Sequence, residues 1–452
     1  MSLTFTAEAP KVARSSMDET HLSKRPRDPE AALRRNLPRN VTGMLLFELT
    51  WGFGLPFGLY VSMVPAYLTA MGASKSLMGF AQSFWTILIP AQLLGSHYLG
   101  RKGRVNAVIT LYMAATGIRL LYDVLAVFVP GLWTPASYTG FFILALASYV
   151  GLLVAGQSIY MGVLTDNIPR KRRGWIFGLR TLFMGLGGIL TGLGTSWVLH
   201  RWASPLNYRI SFMICDTLWT LSSLCLFLIR DRPARTARAR TVGFLRTLAG
   251  KTRILLANPN YRIFLFFHML NSVGLTMATF IVPYAQERLG VPDDMIAWLS
   301  VIYLASSAAL GTLMGKLADK AGYRSVGAVQ SLLLVAFFMI AVVSRNFTAI
   351  CIGYVLYSIV NMTGAFMLVN MSVELCPSIS ATDLTALGGT LLLPFIAVAS
   401  PLAGTIIDRS GNYAAVFYVG ATIAVVALFG FAFLVREPRT GKLYEFKQTA
   451  LG

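Results

Sequence analysis

Charged side chains inside long apolar stretches are the residues of this sequence whose chemistry needs explaining. Glu48 sits in "MLLFELTWGF" and Arg180 in "GWIFGLRTLF". A charge at the centre of a membrane helix costs about 2.5–3.5 kcal/mol on insertion scales, so each requires a partner, a proton or a route to water. Three readings stay open for these two residues. They can form a gate, Glu48 can take up a proton while Arg180 holds an anion, or Arg180 snorkels to the headgroups while Glu48 caps a frayed helix start. Arg119 and Asp123, in "GIRLLYDVL", are four apart on one helical face and read as a structural ion pair near the outer interface. The uncharged candidates are Asn271 and Asn361 near the middle of their runs, His268 one turn from Asn271, and Gln157. Trp51, Pro56, Tyr60, Gln82 and Trp85 add rings and amides to the first half. Such groups either orient a bound molecule or only tie helices together. No HExxH, GxSxG or Walker loop is present, so the chain does not read as an enzyme. No cofactor or metal is implied.

The elements that must position these groups follow from composition. The 452 residues are 55% hydrophobic and 13% charged, with a mean hydropathy of +0.62. Apolar runs of bilayer-crossing length recur along nearly the whole chain. Such runs must satisfy their backbone polar groups internally, and they lack the two-residue alternation of barrel strands. The expected fold is all-α, with twelve membrane spans near 42–69, 76–99, 105–129, 138–164, 175–199, 207–229, 263–286, 294–315, 326–344, 347–373, 384–407 and 413–435. Residues 1–41 read as a disordered basic tail, 42–229 and 263–436 as two six-helix bundles, 230–262 as a basic linker and 437–452 as a second tail.

The net charge of +20 sits in the N-terminal tail and in alternate loops, without the pattern of a nucleic-acid binder. "VPGLWTPAS" has no base and "QERLGVPDD" has more acid than base, whereas Arg170, Lys171, Arg172 and Arg173 form one basic loop. That asymmetry places both termini in the cytoplasm. The four cysteines form no CxxC and suggest neither disulfides nor zinc. Short outer loops and the lack of a cleavable signal suggest a bacterial inner (plasma) membrane, crossed many times.

The halves repeat. "SHYLGRKGRV" and "GKLADKAGYR" each follow the second span of a half, and Asp166-Asn-Ile-Pro169 and Glu374-Leu-Cys-Pro377 each follow the fourth. Gly315-Lys-Leu-Ala-Asp319-Lys-Ala-Gly322-Tyr-Arg324 resembles the loop signature G-x-L-A-D-x-x-G-x-R of the major facilitator superfamily, and "PLAGTIIDRSGNYAAVF" also looks like that family. The resemblance covers about residues 42–436. It implies a rocker-switch transporter with a cavity lined by spans 1, 2, 4, 5, 7, 8, 10 and 11, and it makes spans 1 and 5 neighbours, so Glu48 and Arg180 are expected to pair. It also implies a cytoplasmic gate. Asp319 would approach the start of span 5 near Gly174, Arg172 and Arg173, and Arg324 would reach Glu374. Arg101 or Arg104 would reach Asp166, with Gly103 and Gly322 shaping the turns. Gly100 stands where the first-half signature would carry its acid, and Asp383 would cap span 11 instead. Two further departures are a span 4 without the membrane arginine of many proton-coupled members and a span 5 without the Gly-Pro of drug antiporters.

The expected function is secondary transport of a small organic solute, driven by a proton or other ion gradient, by a monomer in the lipid bilayer. The alternative is a transporter-like sensor or assembly protein with degraded motifs. A one-sided cytoplasmic latch makes Gly100→Asp favour the outward-open state and Asp319→Asn disfavour it. Equal labelling of cavity cysteines in both variants and the parent would remove the latch.

Overall fold

The computed structural model describes residues 29–95, 103–129, 131–169, 173–231, 244–377, 379 and 381–438. Among them there is no β-strand, because helices alone close their own hydrogen bonds in hydrocarbon. Twelve helical spans are long and apolar enough to cross a membrane. Those of the first half are Arg35–Ala70, Lys75–Leu94, Arg104–Phe128, Pro135–Asn167, Trp175–Arg201 and Leu206–Leu228. Those of the second are Pro259–Leu289, Asp293–Gly311, Leu313–Val343, Phe347–Leu375, Asp383–Ser410 and Tyr413–Leu434. They are called spans 1 to 12. The end of the molecule where span 1 begins and span 12 ends is called the terminus face, and the other end the far face.

Boundaries differ from expectation where local chemistry is strong. Residues 29–41, assigned above to a disordered tail, belong to the helix Pro29–Gly58. Its opening "PEAALRRN" is rich in good helix formers, with proline at the first position. Arg39 Nε then ties this extension to Leu228 O at 2.8 Å. Residues 1–28 and 439–452 of the two expected tails, and 232–243 of the linker, lie outside the described residues. The linker's remainder forms a helix, Phe244–Ala257, and Asn258 caps span 7 by accepting from the amides of Asn260 and Tyr261. Spans 8 and 9 are one helical stretch broken at Gly322 (φ 80°, ψ 171°). The stretch read as a loop is therefore mostly helix, and the reversal falls on a residue without a Cβ.

The two halves reuse the same fastenings. Asn40 accepts from Arg230 N at 2.8 Å and donates to Arg230 O at 3.2 Å. Asn260 does the same with Arg436, at 2.9 and 2.8 Å. An acid just after the last span of each half then holds the start of the third: Asp231 takes Arg104 Nε and Nη2 at 2.9 and 2.8 Å, and Glu437 takes Arg324 N at 2.8 Å. Each set joins the ends of spans distant in sequence.

Spans 1 and 7 are each interrupted, span 1 between Gly58 and Met63 and span 7 between Ala278 and Ile281. Helix breaks at membrane depth persist only where neighbours satisfy the freed backbone. In span 1, Gln82 donates to Tyr60 O at 3.1 Å and Tyr354, from the second bundle, to Val61 O at 2.8 Å. Below that break, spans 1 and 5 cross at glycines. A Cβ on Gly187 would lie 3.0 Å from Phe53 N, and one on Gly52 would strike the Met184 backbone. This small-residue crossing brings the two backbones together.

Gly322→Ala should cost about 1–3 kcal/mol from backbone strain alone, with further loss because Glu437 crowds the position. Gly315→Ala is the control, since nothing lies within 4 Å of its Cβ. A lower melting temperature for the first variant and not the second, in detergent, is the expected result.

Candidate functional site: a buried acid, an accessible guanidinium and a far-face lock

The glycine crossing fixes the first site. Glu48 lies one turn from Gly52 and Arg180 two turns from Gly187, both toward the terminus face. Arg180 Nε donates to Glu48 Oε1, and the Tyr160 hydroxyl of span 4 donates to the same oxygen at 3.0 Å. The guanidinium also lies over the Tyr160 ring, 5.5 Å from its centroid, which adds cation–π attraction. The partners differ in access: the Glu48 side chain is 2% exposed and that of Arg180 22%. Met161, itself exposed, places its sulfur 3.6 Å from Arg180 Nη1. Gln157 is exposed and one turn before Met161, on the same helix face. The cluster is therefore a buried acid behind a partly exposed guanidinium. Protonating Glu48 would release the guanidinium to another anion.

The remaining expected residues fall in different places. Asn271 is buried and exchanges hydrogen bonds with Ser331 of span 9, at 2.8 and 3.0 Å. It ties helices within the second bundle, as the packing reading has it. His268 is buried, stacked on Phe264 with centroids 5.6 Å apart, and no described residue hydrogen-bonds its Nδ1. Asn361 is half-buried and reaches Tyr357 Oη at 3.4 Å. Tyr303, Tyr354 and Tyr357 pack as a ring cluster beside it.

Arg119 does not take Asp123 as its partner. Its Nε donates to Asp216 of span 6 at 2.6 Å, and the group is fully buried between helices rather than near an interface. The four-residue spacing identified a shared face, but a partner on another span was nearer to the guanidinium.

At the terminus face, Arg104 Nη1 reaches Asp166 at 2.6 Å, and Gly103 adopts φ 60° and ψ 40° ahead of span 3. Gly100, Arg101 and the basic residues 170–172 lie outside the described residues. Arg324 directs its guanidinium to the carbonyls of Phe431 and Ala432, not to the expected Glu374. Asp383 sits in the first turn of its helix and accepts from Lys251 Nζ at 2.6 Å. Asp319 is exposed, and no described hydrogen bond or ion pair holds it.

The bundles are instead locked at the far face, by residues the sequence reading missed. Asp408, at the end of span 11, accepts from Lys75 N at 2.8 Å and Ser76 N at 2.9 Å. An acid from one bundle thus caps the positive end of span 2 in the other. Lys75 Nζ pairs with Glu287, which also accepts from Tyr413 Oη at 2.7 Å. Asn207 and Tyr208 of span 6 donate to Asp293 of span 8 at 2.9 and 2.8 Å, and Ser62 and Ser300 meet at 2.7 Å. One signal was available. Gly404-Thr-Ile-Ile-Asp408-Arg-Ser-Gly411 repeats the glycine and acid spacing of Gly315-Lys-Leu-Ala-Asp319-Lys-Ala-Gly322. Its glycines also behave alike: Gly411 has φ 64° and Gly322 φ 80°.

The family model described as Major Facilitator Superfamily matches residues 264–450. The crystal structure of the nucleoside transporter NupG superposes with a TM-score of 0.63 at 15% identity, over 87% of this chain and 98% of that one. The fold is that of the major facilitator superfamily. The xylose transporter XylE from E. coli, in a partially occluded inward open conformation, gives 0.59 at 16% identity over 90% and 98% of the two chains. The peptide transporter POT gives 0.63 at 11% identity over 86% and 93%. No curated protein sequence matches significantly. The major facilitator likeness read from Gly315 to Arg324 thus extends, as a fold, across both halves.

Removing the Asp408 carboxylate deletes two charge-assisted hydrogen bonds, each worth about 1.5–3 kcal/mol. Asp408→Ala should open the far face. With the four native cysteines replaced, thiol labelling at Ser300→Cys should accelerate about tenfold or more. Unchanged labelling would mean that the lock lies elsewhere.

Proposed function

We propose that this chain is a secondary active transporter of a small organic solute, working as a monomer by rocker-switch alternating access in a bacterial inner membrane, with both termini in the cytoplasm. The observation that carries this is the pairing of a locked far face with an acid buried behind an accessible guanidinium. On that topology the described state is closed outside, and Arg180 is approached from the cytoplasm. The exposed Asp319 fits such a state, because its latch to span 5 belongs to the outward-open one.

Coupling is assigned to Glu48. While Glu48 is ionised it neutralises Arg180, and the pair tolerates the apolar surroundings only because charge and hydrogen bonds are matched. A proton on Glu48 leaves Arg180 free for an anionic group on the solute, which favours a carboxylate- or phosphate-bearing substrate over a neutral one. The neutral amide of Asn361, held by the buried Tyr357, and the half-buried Tyr303 supply hydrogen bonds and ring surface from the opposite bundle. The solutes named for NupG, XylE and POT are a nucleoside, xylose and peptides, so the shared fold does not select among them.

A second reading, a sensor with the architecture of a transporter, is favoured by one feature, the Gly100 that stands in place of the signature acid. Proteoliposomes separate the two. A thermal-shift screen of nucleosides, sugars, short peptides and organic acids selects probes, and their uptake is then measured with and without a pH gradient. Solute accumulation driven by the gradient is expected. Binding without movement would establish the sensor.

Glu48→Gln should abolish gradient-driven accumulation while preserving solute exchange, and Arg180→Gln should weaken binding of the anionic probe about tenfold or more. Transport and pH dependence unchanged in both variants would exclude this pair from the mechanism.

A further inference from the structure

A second group of charges lies wholly inside the first bundle and takes no part in the site described above. Arg119 and Asp123 of span 3 and Asp216 of span 6 are 1%, 0% and 0% exposed. Arg119 Nε holds Asp216 Oδ2 at 2.6 Å. The guanidinium is enclosed by the rings of Tyr149, Phe212 and Trp219, with centroids 4.7, 5.4 and 5.4 Å away, and Cys215 Sγ lies 3.8 Å from Nη2. Span 1 closes the remaining side at Gly58, where a Cβ would come within 3.2 Å of the guanidinium.

The charges do not balance. One guanidinium faces two carboxyl groups, and the lone pairs do not balance either. No donor reaches Asp123 Oδ1 or Oδ2, or Asp216 Oδ1. What lies within hydrogen-bond reach of Asp123 is the Asp216 carboxyl itself, which, when ionised, is another acceptor. Two ionised carboxylates in contact, without water and with a single cation, are not sustainable: like charges at this range displace one ionisation, and an unpaired buried charge costs several kcal/mol.

The neighbouring groups do not supply the missing charge. Arg209, the other buried guanidinium nearby, donates to Tyr67 Oη at 3.3 Å and Ala126 O at 3.2 Å and lies over the Tyr138 ring. Tyr67 and Tyr122 bond to each other at 3.0 Å, and Tyr122 donates to Tyr138 O. Tyr149 and Cys215 are neutral acids that face the guanidinium.

We propose that Asp123 and Asp216 share one proton, making the interior of the first bundle a proton-binding site separate from the Glu48–Arg180 cluster. Arg119 keeps Asp216 ionised, so the proton resides on Asp123 and is donated to Asp216 Oδ1. One hydrogen bond then engages an oxygen of each carboxyl, and the group becomes neutral overall. Releasing the proton requires spans 3 and 6 to separate or water to enter, so the site holds its proton while the bundle stays packed.

Infrared spectroscopy of the purified full-length protein at neutral pH tests this through the protonated-carboxyl stretch, with Glu48→Gln identifying any band from the acid of the Glu48–Arg180 cluster. A protonated-carboxyl band that survives Glu48→Gln and disappears in Asp123→Asn is expected. Asparagine keeps a donor toward Asp216, so this variant should melt within a few degrees of the parent. Asp216→Asn, which strands Arg119, should melt far lower. Absence of the band in the parent, or its persistence in Asp123→Asn, would overturn the proposal. So would an Asp123→Asn protein that fails to fold or melts as low as Asp216→Asn, because the ionised form would then be what the site requires.

Discussion

The conformation depends on the positive end of one short helix. Span 2 opens at Lys75 with unsatisfied amides, and two of them are taken by Asp408 from the other bundle. Helix ends and carboxylates attract at short range, and the effect falls off within a turn. A contact of this kind is therefore either made or absent, and it sets the distance between the bundles. Gly404 shows how close that distance is, because a Cβ there would collide with the Lys75 backbone. The other far-face contacts, Lys75 to Glu287 and Asn207 and Tyr208 to Asp293, accumulate around that approach. At the terminus face Asp319 of the matching motif is exposed, no described hydrogen bond or ion pair holds it, and no described atom lies within 4 Å of a Cβ placed on Gly315.

The bundles themselves are held by a different principle. Between helices in lipid there is no hydrophobic gain, so close packing and internal polar contacts supply the stability. The crossing of Gly52 with Gly187 is packing of this kind, and the polar contact it allows is Glu48 with Arg180. Packing and charge are coupled here, since a side chain at either glycine would separate the spans and strand both charges. The asparagine clamps at Asn40 and Asn260 work at the membrane edge, where a backbone N–H and C=O at the end of a span would otherwise face alternative partners.

Much of this was legible in the residues, and the limits have physical causes. Span number and order followed from run length, because the bilayer sets one dimension for all twelve. Glu48 and Arg180 stood out because a charge in an apolar run is costly wherever it falls. The partner of Arg119 was misread because i, i+4 spacing is a local rule, whereas Asp216 is brought in by tertiary packing from a span 97 residues away. Asn271 and Asn361 could not be separated by sequence: both sit at mid-span, and only tertiary packing brings Ser331 of another span to the first, while the second reaches no farther than Tyr357 of its own helix. The far-face lock was missed because the Asp408 stretch was read as a general likeness. Its glycine and acid spacing already matched the Asp319 stretch, and its helix-capping role follows from that match.

The halves share their edges and differ in their interiors. Both use an asparagine and a final acid to fasten the first and third spans to the last, so these devices belong to the repeat. The charges deep within the spans do not. Glu48, Arg119, Asp123, Arg180 and Asp216 are all in the first half, while the mid-span polar groups described in the second are amides, hydroxyls and a histidine. A carboxylate responds to protons, and a neutral amide or phenol does not near neutral pH. The carboxyl groups deep within the spans therefore lie in the first bundle, whereas the second bundle presents amides, hydroxyls, rings and His268 at that depth. The difference between Gly100 and Asp319 belongs to the same divergence, since an acid has been kept in one copy of a turn and lost from the other.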